Sequence, residues 1–307
     1  MTLKDEHENV FCNNEYGVLK KVILCEPKYM AIREIINETQ KYYNEQEINH
    51  QLAVKQHSQF IDSLRQCGVD VLLIPAQKTY PEQVFTRDIG FTIGDQVCVS
   101  RMARRVRQGE EIELKNRLSH HQLPYLDIRE GMIEGGDVMI AGTTVYVGVS
   151  SRTNLQAIDY LEEALPEYRI VPIPFQDKYL HLDCVFNILS EGEALFFPQA
   201  FEEDTIVMLN EKFKLIEVSE KEQFTLGTNV LSIGNKQVFS LPVNQKVNQR
   251  LRNEGYSVME IDLSEIIKSG GSFRCCTFTY FKEVKSSDTK TCSRSFKKRL
   301  KITFCWV

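Results

Sequence analysis

Four stretches of this chain share one pattern: an apolar run, a tight turn and a second apolar run. They are "FTIGDQVCVSRM" (91–102), "VMIAGTTVYVGVSSRTN" (138–154), "FNILSEGEALFFPQAF" (186–201) and "NVLSIGNKQVFSLP" (229–242). Their turns fall at Gly94-Asp95, Gly142, Glu191-Gly192 and Gly234-Asn235, so each stretch reads as a β-hairpin. The turns recur at intervals of roughly 45 residues, the spacing of a repeated supersecondary unit. A repeat of this kind leaves few ways to fold.

Helical and strand signals fill the gaps in a fixed order. "INHQLAVKQHSQFIDSLRQCG" (48–68) reads as a helix stopped at Gly68 and feeding the buried strand "VDVLLIP" (69–75). "NQKVNQRLRNEGYSVMEIDLSEI" (244–266) repeats helix, Gly255 and strand. "RTNLQAIDYLEEAL" (152–165) is expected to be a helix capped by Thr153 or Asn154, with Leu155, Ile158, Leu161 and Leu165 on one side. "YGVLKKVILCEP" (16–27) supplies one more strand. The unit is therefore hairpin, helix, strand. Four clear copies and one degenerate copy predict a pseudo-symmetric α/β ring of about five units in a single domain. An ordinary mixed α/β domain with coincidental spacing is the alternative.

Composition narrows the function classes. The 307 residues carry a net charge of −5, with no basic field to replace phosphate counterions, so nucleic acid is not an expected partner. No stretch reaches the ~18 apolar residues of a membrane span. The polar start "MTLKDEHENVF" lacks a secretion signal. The nine cysteines form no CxxC pair, and their odd count reads as reduced thiols in a cytoplasmic protein. No Cys/His spacing suggests zinc.

A ring brings one loop of each unit to a common centre, and the charged residues cluster at those loops. "PEQVFTRDIGF" places Arg87 and Asp88 between apolar neighbours. "GMIEGGDVMI" sets Glu134 and Asp137 around two glycines, and "YLHLDCVFNIL" sets His181 and Asp183 one residue apart. In a strand, that spacing points both side chains to one face. Where the next loop is due stands "SGGSFRCC", Ser269 to Cys276, a thiol after a glycine-rich, cationic turn. Capped turns and hydrogen-bonded core groups are the bland alternatives for each motif alone. Together, buried carboxylates without partners would be costly, and a cationic ligand would relieve them. Carboxylates can hold a planar guanidinium in bidentate fashion. Cys275 could then attack the guanidinium carbon. His181 could protonate the departing amine and later activate water, and Asp183 could orient His181. This chemistry requires no metal and no organic cofactor.

"FTRD", "EGGD", "HLD" and "GGSFRC", in this order, resemble the motifs of the guanidine-modifying superfamily. It comprises arginine deiminases, dimethylarginine dimethylaminohydrolases and amidinotransferases. The resemblance runs from about Tyr16 to Cys276 and implies a five-bladed, pentein-type α/β propeller. It implies Cys275 as nucleophile, since the family pattern is Cys, any residue, then Ser or Thr, and Thr277 fits. It implies His181 as general acid and base, with Glu134 and Asp88 holding the guanidinium. Asp183 matches an additional Asp of the deiminases. Arg107 and Arg152 resemble arginines that bind a substrate α-carboxylate, against a solvated helix-start charge and a surface salt bridge as their plain alternatives. Glu82 lies where relatives carry a shorter Asp or Asn.

The chain has the length of a dimethylarginine dimethylaminohydrolase, with no room for the added helical domain of arginine deiminases proper, although "FTRD" and "HLD" look more like deiminases. The implied reaction is hydrolysis of a guanidino carbon–nitrogen bond giving citrulline, with methylated arginine the leading substrate and arginine the second. An amidinotransferase and a catalytically impaired guanidino-ligand binder are the alternatives. A homodimer is a possible assembly. After Thr277 the resemblance fades: relatives carry a short Pro-containing strand, whereas this chain continues "FTYFKEVKSSDTKTCSRSFKKRLKITFCWV". The expected division is a catalytic domain over 1–281 and a divergent basic tail over 282–307, with the strand that should brace Cys275 missing or altered.

Overall fold

The computed structural model describes residues 10–283. Their fifteen strands form five separate three-stranded sheets. Strand β1 (Leu19–Cys25) is followed by helices α1 (Glu38–Tyr43) and α2 (His50–Gln66) and by β2 (Asp70–Ile74). The hairpin β3 (Gly90–Ile93) and β4 (Gln96–Val99) leads through α3 (Ile112–His120) to β5 (Tyr125–Asp127). The next unit is β6 (Val138–Ala141), β7 (Thr144–Val149), α4 (Leu155–Ala164) and β8 (Arg169–Pro174). Then come β9 (Phe186–Ser190), β10 (Glu193–Phe196), α5 (Glu203–Asn210) and β11 (Lys214–Glu217). After α6 (Glu220–Phe224) the pattern returns as β12 (Leu231–Gly234), β13 (Gln237–Ser240), α7 (Gln245–Asn253) and β14 (Ser257–Glu260), and β15 (Phe278–Lys282) ends the series.

Within each sheet an antiparallel pair, a hairpin in four of the five, is joined to a parallel third strand, as in β3–β4 and β4–β5. The hairpin–helix–strand unit read from the sequence is therefore the unit of the fold. The fifth copy is degenerate in sequence because it is split. Its first strand is β15, at the far end of the described chain, paired antiparallel with β1, which in turn pairs parallel with β2. The two ends close the ring.

Burial explains why some strands read as continuous apolar runs. All four residues of β3 and of β12 are buried, whereas β2 buries only Val71 and Ile74 and β8 only Ile170 and Ile173. The first strand of each hairpin is covered on both faces, and the third strand keeps one side in water. Two expectations shift. Asn154 caps α4 through its side chain, but Leu155, at the first helical position, points outward at 55% exposure, and Ala157 joins Ile158, Leu161 and Leu165 in the core. The fourth hairpin turns at Asn235-Lys236, both at positive φ, one residue later than read. That is the geometry of a two-residue hairpin turn whose twist matches its strands.

The strand expected to be missing or altered after the cysteines is present as β15, with irregular register against β1. Lys282 pairs with Leu19 and Phe278 with Ile23, across a bulge. It runs one residue past the expected boundary at 281, while 284–307 of the divergent tail lie outside the described residues. Among the described residues, no helix is long and apolar enough to cross a membrane.

Candidate active site

The turns that precede the inner strands meet at the centre. Asp88 lies two residues before β3, Asp137 immediately before β6, Asp183 three before β9 and Cys275 three before β15. Backbone bonds lock these turns together. Arg87 N–H donates to the carbonyl of Cys275 at 3.0 Å, and Thr86 Oγ1 lies 2.9 Å from the carbonyls of Ile23 and Cys276. Asp137 accepts the Leu182 N–H at 2.8 Å and the Ser150 hydroxyl at 2.7 Å, so it ties the second turn to the third.

All eight residues expected at the site are buried: Glu82, Asp88, Arg107, Glu134, Arg152, His181, Asp183 and Cys275. His181 Nε2 lies 2.8 Å from Glu134 Oε2, and His181 Nδ1 lies 3.6 Å from Asp88 Oδ1. Burial opposes charge on this imidazole. Asp88 and the hydrogen bond to Glu134 outweigh it and push His181 up to about 10. Burial likewise opposes charge on Glu134, yet the His181 hydrogen bond and Arg152 hold that carboxylate below its ordinary range. The ring sits where only glycine fits beneath it, because a Cβ on Gly136 would lie 2.6 Å from His181 Nδ1 and 2.9 Å from Asp88 Oδ1.

Asp183 does not orient His181. The expected strand gives way to a 3-10 turn over Leu182–Cys184, which rotates Asp183 away from the histidine. Its carboxylate accepts from Arg274 Nη1 at 2.8 Å and lies 3.5 Å from Cys275 Sγ. A hydrogen bond with Cys184, burial and the Asp183 charge together raise the Cys275 thiol well above its ordinary value. That environment holds the sulfur as a thiol.

Arg107 and Arg152 are neither solvated nor on the surface. Arg107 Nη1 lies 2.5 Å from Asp88 Oδ2, and its Nη2 lies 2.7 Å from Glu110 Oε2. Arg152 Nη1 lies 3.3 Å from Glu134 Oε2, and its Nη2 donates to the Ile36 carbonyl at 2.9 Å. The two carboxylates expected to take a guanidinium thus already hold guanidinium groups of the protein itself. Asp88 Oδ1 and Arg152 Nε have no hydrogen-bond partner among the described residues. Glu82 accepts from Gln40 Nε2 at 2.7 Å, and burial pushes its carboxyl up to about 8. Asp88, Glu134 and His181 each offer one ligand atom within 4.8 Å of the others. A dication there would face two guanidinium groups in contact with the same carboxylates, so the cluster suits a planar monocation better.

Residues 26–282 match the family described as "N,N dimethylarginine dimethylhydrolase, eukaryotic". The chain belongs to the dimethylarginine dimethylaminohydrolase family. It is 55% identical over 274 residues to an uncharacterised protein, YkgA, of Bacillus subtilis (strain 168), covering 89% of this chain and 96% of that one. It is 25% identical over 237 residues to the N(G),N(G)-dimethylarginine dimethylaminohydrolase of Pseudomonas aeruginosa, covering 74% of this chain and 88% of the relative. Among solved structures it resembles the N-terminal domain of ArgZ, a cyanobacterial arginine dihydrolase crystallised with product. The TM-score is 0.79 at 25% identity, over 85% of this chain and 97% of that domain. The family acts on guanidino groups by hydrolysis, and the five-sheet ring is its pentein fold.

Three residues of the site escaped the sequence reading. Asn229 stands two residues before β12, in the register that Asp88 holds before β3, and that register was the signal. Its Oδ1 accepts from Cys275 N–H at 3.1 Å and Ser272 N–H at 3.2 Å, and its Nδ2 lies 3.1 Å from Cys275 Sγ. Arg274, next to the cysteine, also reaches Glu15 Oε1 at 3.3 Å and the Val138 carbonyl at 2.7 Å. Gln40 belongs to a strap, residues 34–40, that crosses the site. Asn37 Nδ2 donates to the Ser269 carbonyl at 3.0 Å, and Ile36 holds Arg152. Nothing in the strap's composition announces these contacts.

Proposed function

We propose that this protein hydrolyses a guanidino carbon–nitrogen bond of methylated arginine, or of arginine, through a covalent bond to Cys275, giving citrulline and an amine or ammonia. The observation that carries this reading is the burial together of a thiol, an imidazole and a carboxylate whose Oδ1, on Asp88, has no hydrogen-bond partner among the described residues.

Asp88 and Glu134 take the substrate guanidinium. The cation lowers the thiol pKa by its charge, so the nucleophile forms as the substrate arrives, its proton passing to the Asp183 carboxylate 3.5 Å away. Cys275 Sγ attacks the guanidinium carbon. His181, charged in the resting site, gives its proton to the nitrogen that leaves as amine or ammonia. Water then attacks the thiouronium carbon with His181 as base, and the carbon–sulfur bond breaks. Citrulline departs and the thiol is restored. Asp183 fixes the thiol side of the site through its contact with Cys275.

Binding exchanges ion pairs. The incoming guanidinium replaces Arg107 and Arg152 at Asp88 and Glu134, and those arginines are released to the substrate's α-carboxylate. The substrate's guanidinium and α-carboxylate cancel each other's charge in this exchange, which favours an amino acid over a guanidine lacking a carboxylate. Glu82 lies beside this exchange, behind Gln40 of the strap.

Citrulline release from arginine and from dimethylarginine tests the reading, with Cys275→Ser as control. Turnover of one substrate that vanishes in the folded variant is expected. Undiminished turnover in that variant overturns the nucleophile, and failure of the wild type on both substrates overturns the reaction.

A further inference from the structure

A second thiol stands beside the nucleophile and the proposed reaction gives it no task. Cys184 Sγ lies 3.6 Å from Asp183 Oδ1, and Cys275 Sγ lies 3.7 Å from the same oxygen. The two sulfurs thus share one carboxylate oxygen. Both backbones are pinned. The Cys184 carbonyl accepts from Thr228 Oγ1 at 2.6 Å and Gln223 Nε2 at 3.1 Å, and Cys275 is clamped by Arg87 and Asn229. The pair is a built feature of two rigid turns.

Their surroundings differ. Cys275 is 1% exposed and lines neither cavity beside the strap. Cys184 lines a cavity of about 190 Å³, with Asn37, Tyr179, Leu180, Phe224 and Gly270 along its walls. A small neutral oxidant entering there meets Cys184 first.

We propose that Cys184 and Cys275 form an oxidisable dithiol, which a peroxide converts to a reversible disulfide that masks the nucleophile. Peroxide transfers one oxygen to Cys184, giving a sulfenic acid and one water. Cys275 sulfur attacks the Cys184 sulfur, the S–S bond forms, and hydroxide leaves with the Cys275 proton as a second water. Two thiols are oxidised and one peroxide is reduced to two waters. Cys276 is a poor alternative partner, because consecutive Cα atoms sit about 3.8 Å apart, short of the ~4.4–6.8 Å range that disulfides favour. The disulfide removes the attacking sulfur and shields it from higher oxidation. Its cost to turnover rests on the proposed function, and the cross-link itself does not.

The test treats the full chain with hydrogen peroxide near equivalence, caps remaining thiols with N-ethylmaleimide and maps the peptides. The exposed Cys67 reports that the oxidant acted. A peptide joining Cys184 to Cys275, reverting to two thiols with dithiothreitol, is the expected result. In Cys184→Ser the same dose is expected to oxidise Cys275 beyond recovery by dithiothreitol. The proposal is overturned if Cys275 reaches sulfinic or sulfonic acid while Cys184 is still capped. It is equally overturned if Cys275 pairs with Cys276, if both thiols survive a dose that oxidises Cys67, or if Cys184→Ser recovers as fully as wild type. A wild type that forms the cross-link but turns over no guanidine before oxidation sustains the dithiol and sinks the hydrolase.

Discussion

Asn229 holds Cys275 at both ends: its side-chain oxygen takes the cysteine N–H at 3.1 Å and its side-chain nitrogen meets the sulfur at 3.1 Å. The same oxygen takes Ser272 N–H, so one amide sets the glycine-rich turn and solvates the thiol. Asn229→Ala leaves two buried backbone donors unpaired, at about 1–3 kcal/mol each. Denaturant unfolding is expected to report that loss. Asn229→Asp keeps the acceptor and sets a carboxylate oxygen against the sulfur. Its stability should suffer less, while turnover falls about tenfold for each unit that the thiol is raised. Equal turnover in Asn229→Asp and wild type would remove the amide from the chemistry.

Gly136 makes room for the catalytic ring. A methyl there would sit 2.6 Å from His181 Nδ1, so Gly136→Ala must push the imidazole off Glu134 or move the turn. A displacement of about 1 Å at a reacting group costs on the order of a hundredfold in rate. The expected result is a loss of that order in kcat, in a variant that still unfolds cooperatively. A variant with wild-type kcat would show that the ring position tolerates the shift.

The repeat made the ring legible, because inner strands covered on both faces leave long apolar runs. The site was legible in composition but less so in pairing. His181 and Asp183 look like partners at strand spacing, and the 3-10 turn over Leu182–Cys184 separates them. Glu134, from the previous unit, takes the histidine instead. Arg107 and Arg152 were readable as cations with a purpose, but their carboxylate partners come from other loops or, for Glu110, from three residues along a short turn with no periodic signature. Asn229 is a neutral residue before an apolar run, and only the closed ring turns its register into a contact with the thiol. The fifth unit was the hardest, since half of it lies more than two hundred residues from the other half.

Glu82 gives a pH signature. Burial raises its carboxyl from 4.5 to about 8, so the folded state keeps a proton that the unfolded state releases. The stabilising contribution of that proton is complete below about pH 4.5 and is lost as pH rises towards 8. Glu82→Gln imitates the neutral acid and removes this loss. Its melting temperature, relative to wild type, is expected to climb between those limits and then level off. A constant offset across the range would mean that Glu82 ionises normally in the folded protein.

The closing strand makes the last contacts of the described residues. β15 buries Phe278 and Tyr280 completely, and Phe11 N–H donates to the Tyr280 carbonyl at 3.2 Å. Lys282 N–H donates to the Phe11 carbonyl at 2.7 Å, and Glu283 N–H donates to the Val18 carbonyl at 2.9 Å. A chain ended at Glu283 keeps every one of these contacts. It is expected to melt with the full chain and to match its turnover. A chain ended at Thr277 exposes the edge of β1 and loses two buried aromatics, each worth about 1.5–3 kcal/mol or more. Against a total stability of about 5–15 kcal/mol, and with the turn that carries Cys275 no longer braced by Phe278, that chain is expected not to fold. Circular dichroism melts of the two truncations decide the matter. A stable, active chain ending at Thr277 would show that the ring does not need its closing strand, and a marked loss in the chain ending at Glu283 would place residues 284–307 inside the folded unit.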